Sequence, residues 1–332
     1  MSRGAPALSQ HRHSRGMTLV ELMVAITLGL LVIGAAIGIF VSNRQVYRAA
    51  ENLNRVQESG RVAYELMARD IREATGNPCV NKLPLVNVVT GSTANWWSDV
   101  NWSTALRGFD GGSPFPDAAF GTAAGERLAG TDAIQLLSGA DNVSTISAHD
   151  TAAGVFTLNT ADNGFGVGDL AIACNARQAA VFQVTSVSGS DVGHAAGGGP
   201  PGNCTKDLGL PLNCGGGNVF QFAAPNSVLA GMHASRWFIA NNPNGIPSLY
   251  QAVLGGSTVT PQEVAEGVTN MVIEYLPAGG VNYVPASAIG DWADVTSVRI
   301  TLTLQTAENV GTDGAPVERQ VIQVASLRNR NP

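Results

Sequence analysis

The pattern of apolar and polar positions divides the chain into three stretches, and the first is a long apolar run. Residues 17–41 (MTLVELMVAITLGLLVIGAAIGIFV) contain a single formal charge, that of Glu21. At about 1.5 Å per residue, a helix of this length spans the roughly 30 Å hydrocarbon core of a bilayer. No small-residue cleavage motif follows Val41, as it would after an ordinary secretory signal. We therefore predict an apolar helix over 17–41 that the mature protein keeps.

The second stretch, residues 42–75, continues without proline and interleaves charged with apolar positions. Its apolar positions recur at spacings of three and four, which is typical of a helix lying against another surface. The stop sequence Gly76-Asn77-Pro78 predicts the end of this helix. Gly34, Gly38 and Gly60 are candidates for close packing between helices. The proposed stripe is Val46, Ala50, Leu53, Gln57, Gly60, Tyr64, Met67, Ile71 and Ala74.

The third stretch, residues 76–332, contains short runs of strand-like sequence separated by Gly, Asn, Asp and Pro. In the clearest run, Val298, Ile300, Leu302 and Leu304 alternate with polar residues, as in a half-buried strand. Two stretches near 91–130 and 188–217 are rich in turn residues and are predicted to be loops or insertions. The predicted strands are 133–138, 169–174, 180–187, 236–241, 248–254, 271–276, 297–305 and 320–326. A long helix followed by a β-rich head is an α+β fold.

Composition and charge favour a head that lies outside the cytoplasm. Only 13% of the 332 residues are charged, against about 25% in an ordinary soluble domain. Residues 1–74 carry a net charge of +3, whereas residues 75–332 carry a net charge of −9. An acidic head repels phosphate backbones, so we do not expect it to bind nucleic acid. Arg3, Arg12 and Arg15 favour a cytoplasmic N-terminus and an external head.

All four cysteines (Cys79, Cys174, Cys204 and Cys214) lie in the head, and none has CxxC spacing. An even number of cysteines outside the cytoplasm is typical of disulfides, and a zinc site is not expected. We predict the pair Cys204–Cys214, which would close a short loop. We also predict Cys79–Cys174, which would join the segment after the helix to the β-rich core. The other pairings and free buried thiols stay open at this stage.

The head carries no recognisable catalytic or metal-binding motif. GxSxG, HExxH and P-loop sequences are absent. Asp162 and Asp169 bracket a glycine-rich stretch that lacks the ligand spacing of an EF-hand, so a turn is favoured over a Ca²⁺ site. Trp96, Trp97 and Trp102 are interpreted as loop or core packing, with a subunit contact as the alternative. We expect no enzyme activity, no cofactor and no metal.

Glu21 is the informative residue of the apolar run, because a carboxylate inside such a segment is costly and normally has a partner. One interpretation is that Glu21 reaches the membrane interface by itself. The other is that cleavage between Gly16 and Met17 creates a positively charged amine, whose ordinary pKa of about 7.7–8.0 keeps it mostly protonated.

The segment around Gly16 resembles the signal of type IV prepilins: a basic leader, a glycine, and then MTLVELMVAI with Glu at the fifth position. The resemblance implies that a prepilin peptidase removes the leader 1–16 after Gly16 and methylates the amine of Met17. It also implies that Glu21 pairs with the N-terminus of a neighbouring subunit during assembly. The first mature residue is usually Phe and here is Met, which departs from the family pattern.

A second resemblance, to PilW-type minor pilins, is carried by VQESGRVAYELMARDIREA (56–74). Three head segments, GVGDLAIAC with AAVFQVTSV, EVAEGVTNMVIEYL and DWADVTSVRITL, are also similar to that family and occur in the expected order. The length of the chain favours a minor pilin, since major pilins are usually about half as long. The resemblance implies other minor pilins, the major pilin, prepilin peptidase and the inner-membrane assembly platform as partners, with a tip adhesin as a further candidate.

The sequence therefore predicts a minor pilin that helps to initiate or cap a type IV pilus, and so contributes to twitching motility, adhesion or DNA uptake. Its expected location is the inner membrane, with a periplasmic head, and then the pilus. The alternatives are a minor pseudopilin of a type II secretion system and a membrane-anchored extracytoplasmic binding module.

Overall fold

The computed structural model describes residues 16–76, 83–98, 100, 105–311, 313–328 and 330. The chain divides into two compact units, one up to Asn52 and one from Leu53 onward. A single 55-residue helix, α1 (Leu19–Glu73), contributes to both units. The strands of the described residues all belong to the second unit. The predicted α+β class, with a long helix and a β-rich head, is confirmed.

Helix α1 ends two residues before the predicted Thr75, and the reason is a contact with a strand. Thr75 adopts a left-handed conformation with φ of 65°, which is unusual for a β-branched residue. Its N–H donates to the carbonyl of Leu137 at 2.9 Å. The backbone therefore leaves the helix to pair with the sheet. Asn77 and Pro78, the rest of the predicted stop, lie outside the described residues.

The described residues form fourteen strands in two sheets. The strands are β1 (Leu85–Asn87), β2 (Leu106–Phe109), β3 (Ala133–Asp150), β4 (Val155–Leu158), β5 (Leu170–Cys174), β6 (Ala179–Gln183), β7 (Ser186–Ser188), β8 (Asp191–Gly193), β9 (Val228–Asn241), β10 (Pro247–Gly255), β11 (Thr258–Glu266), β12 (Val268–Pro277), β13 (Val295–Gln305) and β14 (Glu318–Ser326). Three short 3₁₀ helices, Ser92–Ala94, Ala286–Ala288 and Trp292–Asp294, complete the elements.

The larger sheet has eleven strands and is built around β9, which pairs with β3, β5 and β10. The order along its main path is β1-β6-β5-β9-β3-β4-β8-β7, with β2 on β3 and β11 on β10. The β1–β6 pair is parallel and the other pairs are antiparallel. The smaller sheet is the antiparallel set β12-β13-β14.

The smaller sheet and part of the larger sheet, from β2, β3, β9, β10 and β11, pack on the C-terminal half of α1. In β13 the side chains of Val298, Ile300, Leu302 and Leu304 are all buried, as their alternation with polar residues predicts. They join the buried face of α1 in one hydrophobic cluster. Burying these side chains is the main source of stability for the attachment of the helix to the head.

The buried face of α1 differs from the predicted stripe at three positions. Val46 and Ala50 are exposed. Gln57 is exposed, and Val56 is buried in its place. From Gly60 to Ala74 the prediction and the structure agree, and Ala63 and Ala68 also belong to the buried face. The buried positions between Asn52 and Ala74 are Asn52, Val56, Gly60, Ala63, Met67, Ala68, Ile71 and Ala74.

Each of the eight predicted strands overlaps an observed strand, and most observed strands extend further. The stretch 180–187 is divided between β6 and β7. Two short strands lie within the stretches that were expected to be loops: β2 within 91–130 and β8 within 188–217. Both are held by pairing with a neighbouring strand, β3 and β4 respectively, and neither has a long periodic pattern of its own.

Candidate functional site

The predicted processing signal lies at the start of α1. Gly16, Met17 and Thr18 precede the helix and are exposed. The Thr18 hydroxyl accepts a hydrogen bond from the backbone N–H of Glu21 at 3.3 Å, and the Thr18 carbonyl accepts one from Leu22 at 3.1 Å. Thr18 thus caps the helix, which fixes the point where extended chain becomes helix. The Gly16–Met17 peptide bond lies just outside the helix.

Glu21 occupies the first helical turn, three residues after the cap. The N-terminal end of a helix carries partial positive charge, which favours a carboxylate at this position. The pairing partner predicted for Glu21 is the amine on Met17 of another subunit. The roles of Gly16, Met17 and Glu21 in processing and assembly stay predictions.

The apolar part of α1 presents its side chains on all sides. The helix is long and apolar enough to cross a membrane, and none of its most apolar window is buried within the chain. Leu19, Leu31 and Phe40, for example, are 75%, 69% and 69% exposed. Such a surface requires an apolar environment from outside the chain, either lipid or other helices. A Cβ added at Gly34 or Gly38 would meet nothing within 4 Å, so these two glycines have no packing partner within the chain.

Asp70 is a carboxylate of α1 that holds the helix to the head, and the sequence pattern did not single it out. One of its oxygens, Oδ2, accepts hydrogen bonds at 2.8 Å from Ser235 Oγ, Trp237 Nε1 and Gln251 Nε2. His233 Nε2 lies 3.9 Å from the same oxygen. Three donors from two strands therefore converge on a single carboxylate of α1.

The electrostatics of Asp70 match this geometry. Burial raises its pKa, but the hydrogen bonds and charge of His233, together with bonds from Trp237 and Ser235, outweigh burial, and the pKa is lowered overall. Asp70 is therefore ionised at neutral pH and fixes the rotation of α1 on β9 and β10. The available signal in the sequence was a carboxylate beside the buried positions Met67 and Ile71.

Gly60 packs against the head of its own chain. A Cβ at Gly60 would lie 3.3 Å from both methyl carbons of Leu304 and from Val321 Cγ2. Nearby, the Tyr64 hydroxyl donates to the Val324 carbonyl at 2.9 Å. Of the three glycines suggested for helix–helix packing, Gly60 instead allows α1 to approach β13 and β14 closely.

The structure contains one of the two expected disulfides in full. Cys204 and Cys214 are bonded, with Cα atoms 5.0 Å apart. Cys174 is also disulfide-bonded, but its expected partner Cys79 lies outside the described residues. The Cys79–Cys174 pair stays a prediction.

The tryptophans and the Asp162–Asp169 stretch, the remaining candidates in the head, take part in packing and in a turn where the structure describes them. Trp97 is buried in a hydrophobic cluster, and Trp96 lies over the guanidinium of Arg236 at 4.2 Å; Trp102 lies outside the described residues. The Asp169 carboxylate accepts the Gly166 N–H at 2.7 Å in the turn that leads into β5. In the described part of the chain, no group of three or more His, Cys, Asp or Glu side chains is placed to hold a metal ion.

Comparison with known families gives two matches, one at each end of the chain. Residues 11–37 match the model of the prokaryotic N-terminal methylation motif, which includes Gly16, Met17 and Glu21. Residues 236–329 match the model described as type IV pilus-assembly protein W. This second match runs from β9 to just after β14 and contains the two later head segments on which the resemblance rested. No match was found among curated proteins.

Proposed function

From the premise that this chain is a PilW-like, type IV pilus-related pilin with a prepilin signal, we propose that it is a minor pilin acting in pilus initiation or at the pilus tip. The observation that supports this proposal most directly concerns α1. The helix has the processing signal at its start and an apolar surface along 17–41 that the rest of the chain does not cover, and its C-terminal half packs against the head. The role is structural and not enzymatic. Twitching motility, adhesion and DNA uptake would depend on it indirectly.

Processing is the first step of the proposed role. Prepilin peptidase cleaves after Gly16 and methylates the new amine of Met17. Both residues are exposed and precede the capped helix, so the peptide bond is reachable without unwinding α1. The arginines of the leader hold the N-terminus in the cytoplasm, and the head is periplasmic.

Glu21 supports the second step, in which the subunit leaves the inner membrane and enters the filament. The apolar surface of 17–41 is covered by lipid before assembly and by neighbouring helices afterwards. A carboxylate in that environment needs a cation, and the amine of Met17 from the next subunit is the matching group. Opposite charges attract more strongly in an apolar medium than in water, so the pair favours the correct axial position.

The attachment of the head supports the third step. Met67 and Ile71 are fully buried against the head, and Asp70 joins the same helix to two strands. A pull on the helix by the inner-membrane assembly platform therefore moves the head with it. The remaining proposed partners are the other minor pilins, the major pilin and a tip adhesin.

A minor pseudopilin of a type II secretion system is the second candidate, because such proteins share the processing signal. The match over 236–329 to a pilus-assembly family favours the pilus. Deleting the gene discriminates between them: loss of surface pili with intact protein secretion supports the pilus, and the reverse result supports the pseudopilin.

The test of the assembly step is Glu21→Val, measured as the amount of this chain in sheared, purified pili. We expect unchanged membrane insertion, because valine is less costly than glutamate in the bilayer. Incorporation should fall by about tenfold or more, which corresponds to the loss of about 1.4 kcal/mol of pairing free energy.

Glu65→Gln is the matched control, since Glu65 is an exposed carboxylate of the same helix that pairs with Arg61. It should leave incorporation unchanged. Equal incorporation of Glu21→Val and the native chain would exclude the proposed ion pair.

A further inference from the structure

Two histidines far apart in the sequence meet inside the head. His149 lies near the end of β3 and His194 directly follows β8, and their Nε2 atoms are 3.0 Å apart. His149 is 7% exposed and His194 is fully buried. The ring of Phe156 lies 4.1 Å from that of His149 and 4.7 Å from that of His194, between centroids. Phe182 and Phe222 complete an aromatic pocket around the pair.

The surrounding hydrogen bonds fix which nitrogens carry protons. The backbone N–H of Phe222 donates to His149 Nδ1 at 3.1 Å, so that nitrogen is an acceptor. Neutral His149 therefore carries its proton on Nε2 and donates it to His194 Nε2. His194 must then carry its own proton on Nδ1, a buried nitrogen that makes no close hydrogen bond, with the backbone of Lys206 and of His194 itself as its nearest polar groups. Phe222 thus donates to His149, and His149 donates to His194.

This arrangement does not suit a metal ion. A metal bridging the two Nε2 atoms would need the lone pair of each. The proton of His149 would then be on Nδ1 and would face the N–H of Phe222. Two donors would point at each other, which is unfavourable. The two histidines are therefore neutral rings joined by a hydrogen bond.

The pair joins two parts of the head. One is the β3–β4 hairpin, and the other is the segment 194–222, which contains the Cys204–Cys214 disulfide. Besides the histidines, the His194 N–H donates to the Gly154 carbonyl at 2.7 Å. Lys206 Nζ donates to the Thr151 carbonyl at 2.9 Å. The segment therefore contacts the tip of the hairpin through several polar contacts that include the two histidines. Its middle is held separately, by bonds from the Cys204 N–H to the Val88 carbonyl and from Asn203 Nδ2 to the Gln183 carbonyl.

An added proton has no acceptor in this arrangement. On His149 it would occupy Nδ1 and face the Phe222 N–H; on His194 it would occupy Nε2 and face the proton of His149. The charged groups around the pair are Asp150, Lys206 and Asp207. The exposed Asp150 carboxylate is occupied by the N–H groups of Ala152 and Ala153, and Asp207 Oδ1 lies 3.6 Å from Lys206 Nζ. The Lys206 cation therefore opposes a charge on His194, and Asp150 compensates only weakly.

We propose that His149 and His194 form an acid-sensitive latch: protonation of either ring releases the segment 194–222, with its disulfide loop, from the β3–β4 hairpin. The cluster between α1 and β12–β14 contains no histidine and stays closed. This latch does not depend on the proposed function and would operate in any extracytoplasmic role of the head.

The pH window follows from linkage. Burial lowers the pKa of His149 to about 4 and that of His194 to about 3. In the open segment both return to about 6.5, so the open form binds more protons at any pH between these values. The latch is thus most stable above about pH 6.5 and weakens as the pH falls towards 4. Each histidine contributes up to about tenfold in the opening equilibrium per pH unit.

Hydrogen exchange of the full chain in detergent micelles, read by mass spectrometry, tests the proposal. Protection factors, corrected for intrinsic exchange rates, should fall by about tenfold or more between pH 6.5 and pH 5 in peptides from 194–222. Peptides from β13 should change little. Equal changes in the two regions would overturn the latch.

The double variant His149→Asn with His194→Leu removes both titrating rings and keeps an acceptor near the Phe222 N–H. Its exchange in 194–222 should not depend on pH in this range. His233→Asn is the control, because His233 is a partly exposed ring beside Asp70, and it should keep the native pH dependence. A double variant with the native dependence would overturn the proposal.

A measurement on the native chain covers the case in which the double variant does not fold. Imidazole ¹⁵N spectra at pH 5.5 should show two neutral rings, with the proton on Nε2 of His149 and on Nδ1 of His194. A charged ring at this pH in the closed state, the opposite tautomers, or protection of 194–222 by added Zn²⁺ would each overturn it.

Discussion

The carboxylate of Asp70 on α1 accepts a hydrogen bond from the indole nitrogen of Trp237 on β9 at 2.8 Å, across 167 positions of sequence. The same oxygen accepts from Ser235 and Gln251. Asp70 thus adds a network of hydrogen bonds to the apolar contact between the helix and the head. Its removal leaves three inward-facing donors without an acceptor.

Asp70→Ala should lower the free energy of unfolding of the head by about 3–5 kcal/mol, because it removes one side of a buried charged network. Denaturant unfolding followed by tryptophan fluorescence measures the change. Asp141→Ala is the matched control, since Asp141 is 91% exposed and pairs with exposed Arg69. That control should cost less than about 1 kcal/mol. Equal effects in the two variants would contradict a special role for Asp70.

Acid should remove the Asp70 contribution. Because the folded pKa of Asp70 is lowered, its stabilising effect is complete above the unfolded value of about 4 and is lost as the pH falls below it. The difference in stability between the native chain and Asp70→Asn should therefore shrink below about pH 4. Unfolding curves at several pH values measure it, and a difference independent of pH would contradict the assignment.

Gly16→Val should block leader removal without disturbing the fold, since a Cβ at Gly16 meets nothing within 4 Å. Mass spectrometry of the N-terminal peptide should show the uncleaved, unmethylated precursor. Gly34→Ala is the control, because its Cβ also meets open space and the residue lies well beyond the proposed cleavage site; it should be processed normally. Normal cleavage of Gly16→Val would contradict the proposed site.

Gly60→Leu should destabilise the head by about 1–3 kcal/mol, because a larger side chain would overlap Leu304 and Val321. Thermal unfolding measures the change. Combining it with Leu304→Ala should restore part of the loss, which separates crowding from any general effect on the helix. Independent, additive effects of the two substitutions would show that the residues are not in contact.

Replacing Cys204 and Cys214 together by serine should cost about 3 kcal/mol, the loop-closure contribution expected for a separation of ten residues. Because the loop belongs to the 194–222 segment, hydrogen exchange should increase there first and little in β13. Denaturant unfolding gives the total, and an unchanged midpoint would contradict a stabilising role for the bond.

Local pattern predicted most of the secondary structure, because it depends on spacing along the chain. The uninterrupted apolar run and the stripe after it predicted α1 to within two residues at each end. Strict alternation predicted β13 and its buried face. In contrast, β11 was missed because it contains Pro261 and is mostly exposed. Its pairing with β10 keeps it extended, and sequence periodicity carries no information on that pairing.

The sequence by itself determined the processing signal, the apolar helix, the α+β class and the resemblance to a pilin family, since each is encoded in residues close together in the chain. Only the tertiary structure decided that Gly60 faces the chain's own head, that Asp70 joins the helix to two strands, and that His149 meets His194. Periodicity shows which face of an element is buried but not what covers it. That choice is made by packing between residues that are from 45 to more than 200 positions apart.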